Sequence, residues 1–307
     1  MGLATRQAYG KALVELGASN NNIVVLDADL SKSTMTAGFA KEFSDRFINV
    51  GIAEQNLMGI AAGLASYGKV PFASTFAVFA TGRAFEVIRN SICYPKLNVK
   101  VAATHSGITV GEDGGSHQSV EDIALMNSLP NMSVFVPADA RETEQVIKYA
   151  AEHVGPCYIR LGRLNVEDIF DDSYQYQYGK GVQLVDGTDA TIIATGLMTQ
   201  KAKEAAQLLQ EEGINVRVIH MPTIKPIDRE LIEKAARETK FILTAEEHSV
   251  IGGLGSIVSS VTSETFPAKV VKLGMNDEFG ESGTPNELLE KFGLTAANIV
   301  KLVKENL

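Results

Sequence analysis

The 307-residue chain has few cysteines, no tryptophan and no long apolar run. Its two cysteines, Cys93 and Cys157, lie far apart and form no Cys-x-x-Cys pair, which excludes a disulfide framework and a zinc site built on thiolates. We expect both thiols to be buried and reduced. No apolar run approaches the roughly 18 residues that a membrane-spanning helix needs. The sequence therefore predicts a protein that is not embedded in a membrane.

Basic residues are also scarce. Lysine and arginine number 28 against 37 acidic residues, which gives a formal net charge of −9. An acidic protein repels a phosphate backbone, and no basic stripe with interleaved aromatics appears, so we expect no nucleic-acid partner. Residues 1–16 lack the basic segment and apolar run of a signal peptide and have the pattern of an amphipathic helix. We therefore expect a cytoplasmic protein.

Hydrophobic residues make up 45% of the chain, which is ample for packed cores. They form short, nearly continuous, β-branched runs that alternate with helical periodicity, as in parallel strands covered on both faces. The runs predict strands at 23–26, 47–50, 70–73, 99–103, 134–136, 158–161, 191–194, 216–220, 241–244 and 269–273. The periodic stretches predict helices at 5–16, 53–66, 82–91, 120–125, 141–152, 199–211, 229–237, 255–263 and 296–304. This succession indicates a doubly wound α/β architecture.

The pattern breaks around residues 165–187, which are polar, aromatic and punctuated by glycine. Such a segment is typical of a linker or a short hairpin. We therefore predict two doubly wound domains, one at residues 1–180 and a smaller one at residues 181–307.

Glu54 is the first candidate for chemistry. It lies between a predicted strand and the first turn of a predicted helix. One interpretation is an acidic residue favoured by the helix dipole. The other is a ligand-binding carboxylate, because open α/β sheets bind ligands at the carboxyl ends of their strands.

The loop at residues 104–118 also follows a strand and precedes a helix. It contains His105, His117, Glu112, Asp113 and four glycines. Such a concentration of titratable groups favours a proton-transfer or metal site over a glycine-rich connector with incidental histidines. The two histidines lack the i, i+4 spacing of a helical metal site, so we predict no metal held by this chain.

Further candidates each have an ordinary structural alternative. The candidate phosphate contacts are Arg6, Ser33, Arg160 and Arg163, since the arginine fork matches phosphate oxygens, although each alone is typical of a solvated surface. Phe76 and Phe79 have a spacing that indicates core packing or an aromatic wall against a planar ring.

The second predicted domain offers one glycine-rich segment, residues 252–256 before a helix. It indicates a tight turn with close helix packing, or alternatively a phosphate cradle on helix N–H groups. His248, just before it, is an interface candidate.

Taken together, these motifs resemble the C-terminal half of transketolase, with its pyrimidine-binding and C-terminal domains, over nearly the whole chain. The resemblance rests on residues 51–55, 74–76, 104–106, 111–118, 128–131 and 279–283. The glutamate motif is shared with other thiamine enzymes, whereas the run that ends in His117-Gln118 is highly specific.

The resemblance implies roles for the candidate residues. Glu54 aligns with the glutamate that hydrogen-bonds a pyrimidine nitrogen of thiamine diphosphate, and Phe76 and Phe79 align with aromatics that pack on the pyrimidine. The family has a tyrosine three positions after the second aromatic, where this chain has Gly82. That edge of the pocket is therefore looser or filled by a neighbour.

The resemblance also implies substrate contacts. His105, Asp113 and His117 align with residues that bind substrate hydroxyls and transfer protons. The sugar-phosphate contacts align with Arg6, Ser33, His105 and Arg163, while the family pattern requires no arginine at Arg160. The implied activity is transfer of a two-carbon ketol unit from a ketose phosphate to an aldose phosphate, as in the pentose phosphate pathway.

The Gly-Asp-Gly motif that holds metal and diphosphate in transketolase is missing. The resemblance therefore implies a transketolase N-terminal subunit as partner, in a heterotetramer with two copies of each chain, and Mg²⁺ or Ca²⁺ held by that partner. Two alternatives stay open. One is a subunit of another thiamine enzyme, similar to deoxyxylulose-phosphate synthase or to the oxo-acid dehydrogenase beta subunits. The other is a non-catalytic regulatory subunit.

Overall fold

The computed structural model describes residues 2–307 and contains two open sheets of mostly parallel strands, each covered by helices. The predicted fold class of two doubly wound α/β domains is confirmed. The boundary at residues 180 and 181 stays a prediction.

The first part of the chain supplies six strands and seven helices. The strands are Ile23–Asp27 (β1), Phe47–Asn49 (β2), Val70–Phe76 (β3), Lys100–Thr104 (β4), Ser133–Phe135 (β5) and Cys157–Arg160 (β6). The helices are Thr5–Ser19 (α1), Ser31–Thr34 (α2), Ala37–Glu42 (α3), Glu54–Ser66 (α4), Phe85–Val87 (α5), Asp122–Ser128 (α6) and Ala140–Glu152 (α7).

The second part adds six strands and five helices. The strands are Val182–Val185 (β7), Ala190–Ala194 (β8), Val216–His220 (β9), Thr223–Lys225 (β10), Ile242–Ser249 (β11) and Val270–Met275 (β12). The helices are Met198–Glu211 (α8), Arg229–Glu238 (α9), Leu254–Glu264 (α10), Pro285–Lys291 (α11) and Ala296–Asn306 (α12).

The first sheet has the order β10-β5-β6-β4-β3-β1-β2, and the second has the order β12-β11-β8-β9-β7. All neighbours are parallel except β10 on β5 and β7 on β9. Every residue of β1, β3 and β4 is buried, which is why their sequences are nearly continuous apolar runs. The carboxyl ends of β1, β3 and β4 lie side by side, so the loops that follow them meet at one edge.

Several elements differ from the sequence-based expectation: helices α2, α3 and α11 and strand β7 were not predicted. The helix expected at 82–91 is broken into the π-helical segments Phe79–Arg83 and Ile88–Cys93 around α5. The strand expected at 241–244 continues to Ser249. The extension was not predicted because it contains the polar residues Glu246, Glu247 and His248, which are buried. Strand β10 was not predicted, since three residues pairing at an edge have too little pattern to detect.

The linker expected at 165–187 is irregular up to β7. Its tyrosines pack on the first sheet: the ring centroids of Tyr176 and Tyr178 lie 6.3 and 5.9 Å from that of Phe135. The aromatic side chains of the segment therefore pack against the β5 side of the sheet, so the segment is not a flexible linker.

Candidate active site

Glu54 begins α4, at the edge where the strands of the first sheet end. Its side chain is only 3% exposed, and its Oε1 accepts a hydrogen bond from Arg83 Nη1 at 2.8 Å. Within residues 2–307, no donor contacts the other oxygen, Oε2, at hydrogen-bond distance. The carboxylate is thus largely buried. Arg83 holds its Oε1, and its Oε2 is available to a ligand.

Four of the predicted residues form one aromatic cluster. The Phe76 ring stacks on His105 with centroids 3.8 Å apart and on Phe79 at 5.9 Å. The His117 ring meets Phe79 edge-on at 5.4 Å and Phe76 at 6.4 Å. Phe76 is buried and Phe79 is half-buried, so part of this wall faces an opening.

His105 has a left-handed backbone, with φ of 57°, and a buried side chain. Burial, reinforced by the positive charges of Arg6 and Arg163 and by His117, lowers the pKa of His105 to about 3. Its Nε2 lies 3.4 Å from Arg6 Nη1, which can only donate, and its Nδ1 lies 2.8 Å from Thr104 Oγ1. His105 is therefore neutral at physiological pH, with its proton on Nδ1 and a lone pair on Nε2.

Arg6 and Ser33 come together beside this histidine. Arg6 Nη1 donates to the backbone oxygen of Ser33 at 2.8 Å, and its Nε is buried without a partner among residues 2–307. Burial, followed by the charge of Arg163, lowers the pKa of Arg6. Ser33 contacts Arg6 through its backbone carbonyl, so this contact does not use its hydroxyl.

Asp27 holds the short helix α2, which carries Ser33, and sequence reasoning missed it. Its side chain is fully buried at the end of β1 and accepts from Leu30 N–H at 2.6 Å, Thr34 Oγ1 at 2.6 Å and Thr36 Oγ1 at 3.0 Å. The only signal in the sequence was an acidic residue directly after a buried strand, close to hydroxyl side chains.

The two arginines at the end of β6 have different surroundings. Arg163 is partly exposed; it donates to Val110 O and lies 3.5 Å from Asp113 Oδ2 and 3.4 Å from Glu112 Oε2. Arg160 is buried and pairs with Asp122 at 2.7 Å, which makes it part of the interior. Arg163 is thus the arginine that faces the candidate site.

The second domain closes the loop that carries Asp113 and His117. Gln118 Nε2 donates to Ile108 O at 3.1 Å and to Glu281 O at 2.9 Å. A Cβ at Gly115 would lie 2.6 Å from Gly280 O, so only glycine allows this approach. The run 279–283 therefore serves to position the loop.

The glycine-rich segment 252–256 is not a phosphate cradle. The buried carboxylate of Glu246 accepts from Leu254 N–H at 2.6 Å and Gly255 N–H at 2.7 Å, so the first turn of α10 already has its anion. His248 is buried and accepts from Ala124 N–H at 3.3 Å, which places it at the contact between the two domains. The alternative of a tight turn with close helix packing is the correct one.

No group of three His, Cys, Asp or Glu side chains within residues 2–307 could hold a metal ion. Over the same residues, no helix is long and apolar enough to span a bilayer.

Comparisons with known proteins agree with this arrangement. Residues 1–168 match the family model described as the transketolase pyrimidine-binding domain, and residues 179–299 match the model of the transketolase C-terminal domain. The fold and the site thus define a protein built from a pyrimidine-binding and a C-terminal α/β domain. The chain belongs to the transketolase family.

Relatives of two lengths match the chain. A protein of Methanocaldococcus jannaschii, whose proposed identity is a transketolase C-terminal section, is 52% identical over 98% of this chain and 96% of its own length. Human transketolase is 41% identical over 98% of this chain, which spans 49% of the human protein.

A solved structure, described as a split-gene transketolase in an inactive β4 tetramer, superposes with a TM-score of 0.92 at 60% identity. The match covers 100% of this chain and 99% of that one. The transketolase of Pichia stipitis in complex with sedoheptulose 7-phosphate has a TM-score of 0.87 at 26% identity, and 46% of that chain is covered.

Proposed function

We propose that this chain is the C-terminal subunit of a thiamine-diphosphate-dependent transketolase and moves a two-carbon ketol unit from a ketose phosphate to an aldose phosphate. The observation that carries the proposal is the buried Glu54, with one free carboxylate oxygen, joined through Arg83 to the partly open aromatic wall of Phe76 and Phe79. A planar heteroaromatic ring with a hydrogen-bonding nitrogen matches that combination.

The residues present fit the pyrimidine end of thiamine diphosphate. Glu54 offers the oxygen that would hold a ring nitrogen, and Phe76 and Phe79 offer faces on which the ring would pack. When bound, the cofactor supplies the carbon nucleophile and electron sink for breaking and making the carbon–carbon bond. The role of this chain is to bind and orient the cofactor and to transfer protons near it.

His105, Asp113 and His117 are the proposed contacts for substrate hydroxyls and protons. His105 is proposed to contact a substrate hydroxyl with a neutral imidazole, which adds no charge to the site. Its Nε2 lone pair, which faces Arg6 Nη1 at 3.4 Å, would accept that hydroxyl in place of the arginine. His117, at the open side of the aromatic cluster, is the proposed proton-transfer residue.

The substrate phosphate is the proposed ligand of Arg6, Ser33, His105 and Arg163. The contact with His105 requires the ring proton on Nε2, with Thr104 Oγ1 donating to Nδ1. The positive charges of Arg6 and Arg163 act on the same imidazole ring, and the Nε of Arg6 has no partner among residues 2–307. A doubly charged anion is the natural complement of two neighbouring guanidinium groups.

The diphosphate and its Mg²⁺ or Ca²⁺ are proposed to be held by an N-terminal transketolase subunit, in a heterotetramer with two copies of each chain in the cytoplasm. Support comes from the relatives: this chain spans about half of human transketolase. A similar split-gene protein formed an inactive tetramer of its β chain.

The first test is titration calorimetry of thiamine diphosphate with Mg²⁺, using this chain alone and mixed with the N-terminal subunit. We expect binding only in the mixture, together with ketol transfer between sugar phosphates. Tight binding by this chain alone would contradict the divided site. Carbon–carbon bond formation from pyruvate would favour a synthase instead, and oxidative decarboxylation of pyruvate would favour a dehydrogenase.

The control for a catalytic role is Glu54→Gln in the reconstituted complex. Glutamine keeps the size of the side chain but removes its negative charge, so we expect ketol transfer to fall by about three orders of magnitude, in line with the loss of a group that acts on the reacting centre. Unchanged activity would support a purely regulatory subunit.

A further inference from the structure

Arg83 is a side chain that the sequence motifs did not single out. It ends the π-helical segment Phe79–Arg83, directly after Gly82, where a Cβ would find open space within 4 Å. Single π-helical turns are frequent at functional sites because they displace one residue from its regular position. Here the next residue along the chain is an arginine, and its side chain contacts Glu54 and Phe79.

The guanidinium of Arg83 connects the two parts of the proposed pyrimidine site. Its Nη1 donates to Glu54 Oε1 at 2.8 Å, and its central carbon lies 4.6 Å from the ring centroid of Phe79. The backbone carbonyl of Arg83 accepts from Gln55 Nε2 at 3.2 Å, which ties the segment to the first turn of α4. The arginine is thus fixed at both its main chain and its side chain.

The contact leaves the carboxylate of Glu54 asymmetric. A buried carboxylate needs a compensating partner, and the arginine satisfies only Oε1. Oε2, to which no donor among residues 2–307 is bonded, remains for a ligand. A flat guanidinium that also stacks on Phe79 fixes this orientation better than a flexible ammonium.

We propose that Arg83 is a positioning residue for thiamine diphosphate: it locks Glu54 through one oxygen and presents the other to the pyrimidine. This inference rests on the proposed function, since it assumes that Glu54 is the pyrimidine contact. Arg83 acts through Glu54 and Phe79, and it takes no part in proton transfer.

The test compares the wild-type complex with Arg83→Ala, Arg83→Gln and Arg83→Lys, each assembled with the N-terminal subunit. Calorimetry measures the affinity for thiamine diphosphate with Mg²⁺, and a competition titration measures the affinity for inorganic pyrophosphate, which lacks the pyrimidine. We expect the alanine and glutamine variants to lose about tenfold or more in thiamine diphosphate affinity, with pyrophosphate affinity unchanged. The lysine variant should recover part of the loss, because it keeps the charge without the planar fork.

Two results would overturn the inference: thiamine diphosphate affinity within about twofold of wild type in the alanine and glutamine variants, or an equal loss of pyrophosphate affinity, which means general damage. Glu54→Gln, titrated in parallel, distinguishes a failure of the proposed function from a failure of the role of Arg83 alone. If it leaves thiamine diphosphate affinity and ketol transfer intact, the proposed function fails. If it impairs them while the Arg83 variants do not, only the role of Arg83 fails.

Discussion

At the scale of single residues, His105 combines burial with two neighbouring positive charges. Its pKa lies near 3, against an ordinary value of 6.5. The folded chain therefore binds no proton there above about pH 3, while the unfolded chain binds one below about pH 6.5. Stability from this residue is complete above pH 6.5 and is lost as the pH falls from 6.5 toward 3.

His105→Asn should remove this pH dependence while tolerating the positive φ, since asparagine is common in left-handed backbone. By linkage, the wild type should lose about 2 kcal/mol more than the variant between pH 7.5 and pH 5. Urea unfolding of both chains at the two pH values measures the difference. Equal losses would mean that His105 is protonated in the folded chain.

At the scale of elements, the turn into α10 is built around one buried carboxylate. Glu246 caps the first turn of the helix, and Gly253 passes directly over it. A Cβ at Gly253 would overlap Glu246 Oε2 and lie 2.6 Å from His248 Nδ1. The glycine is required by proximity, because its φ of −83° is open to any residue.

Gly253→Ala should therefore destabilise the chain by about 1–3 kcal/mol, the usual cost of forcing an extra carbon into a packed interior. Gly38→Ala is the matched control, because its Cβ would meet only Val14 Cγ2, at 3.5 Å. The control should be neutral or slightly stabilising through helix propensity. The denaturant midpoints of the two variants measure this difference in stability. Equal midpoints would show that the turn into α10 adjusts to the extra carbon.

Elements with a strong apolar signal were predictable from sequence, and those built on polar contacts were not. The parallel strands β1, β3 and β4 were expected because all their residues are buried. The second half of β11 was missed because burial of Glu246 and His248 depends on partners distant in sequence. For the same reason the candidate residues could be named from motifs, whereas Arg83 and Asp27 emerged only from their contacts.

At the scale of the whole molecule, a buried ionic group joins the two domains. Arg160 donates to Asp122 at 2.7 and 3.2 Å and to the backbone oxygen of Glu247, in the second domain, at 2.9 Å. Burial opposes ionisation of Asp122, but Arg160, with His248, holds the pKa of this carboxyl below its ordinary value. The bond from Arg160 to Glu247 O forms only when the domains are docked.

Arg160→Met should cost about 3–5 kcal/mol of stability, because it leaves Asp122 buried and unpaired. The double variant Arg160→Met/Asp122→Asn should cost clearly less than the sum of the two single changes. Arg229→Met, which breaks an exposed pair with Glu264, should cause no measurable change. Urea unfolding of the four variants tests this, and strict additivity would show that the pair is not coupled.

The antiparallel strand β10 also has a consequence for how the protein is made and cut. It pairs Thr223 and Lys225 with Phe135 and Val134, so the last strand of the first sheet comes from the second half of the chain. A nascent chain on the ribosome holds β5 with one free edge until that strand emerges, and open edges invite association with other chains. A fragment cut at the linker inherits the same exposed edge permanently. An isolated first domain should therefore include a strand that replaces residues 223–225 and pairs with β5.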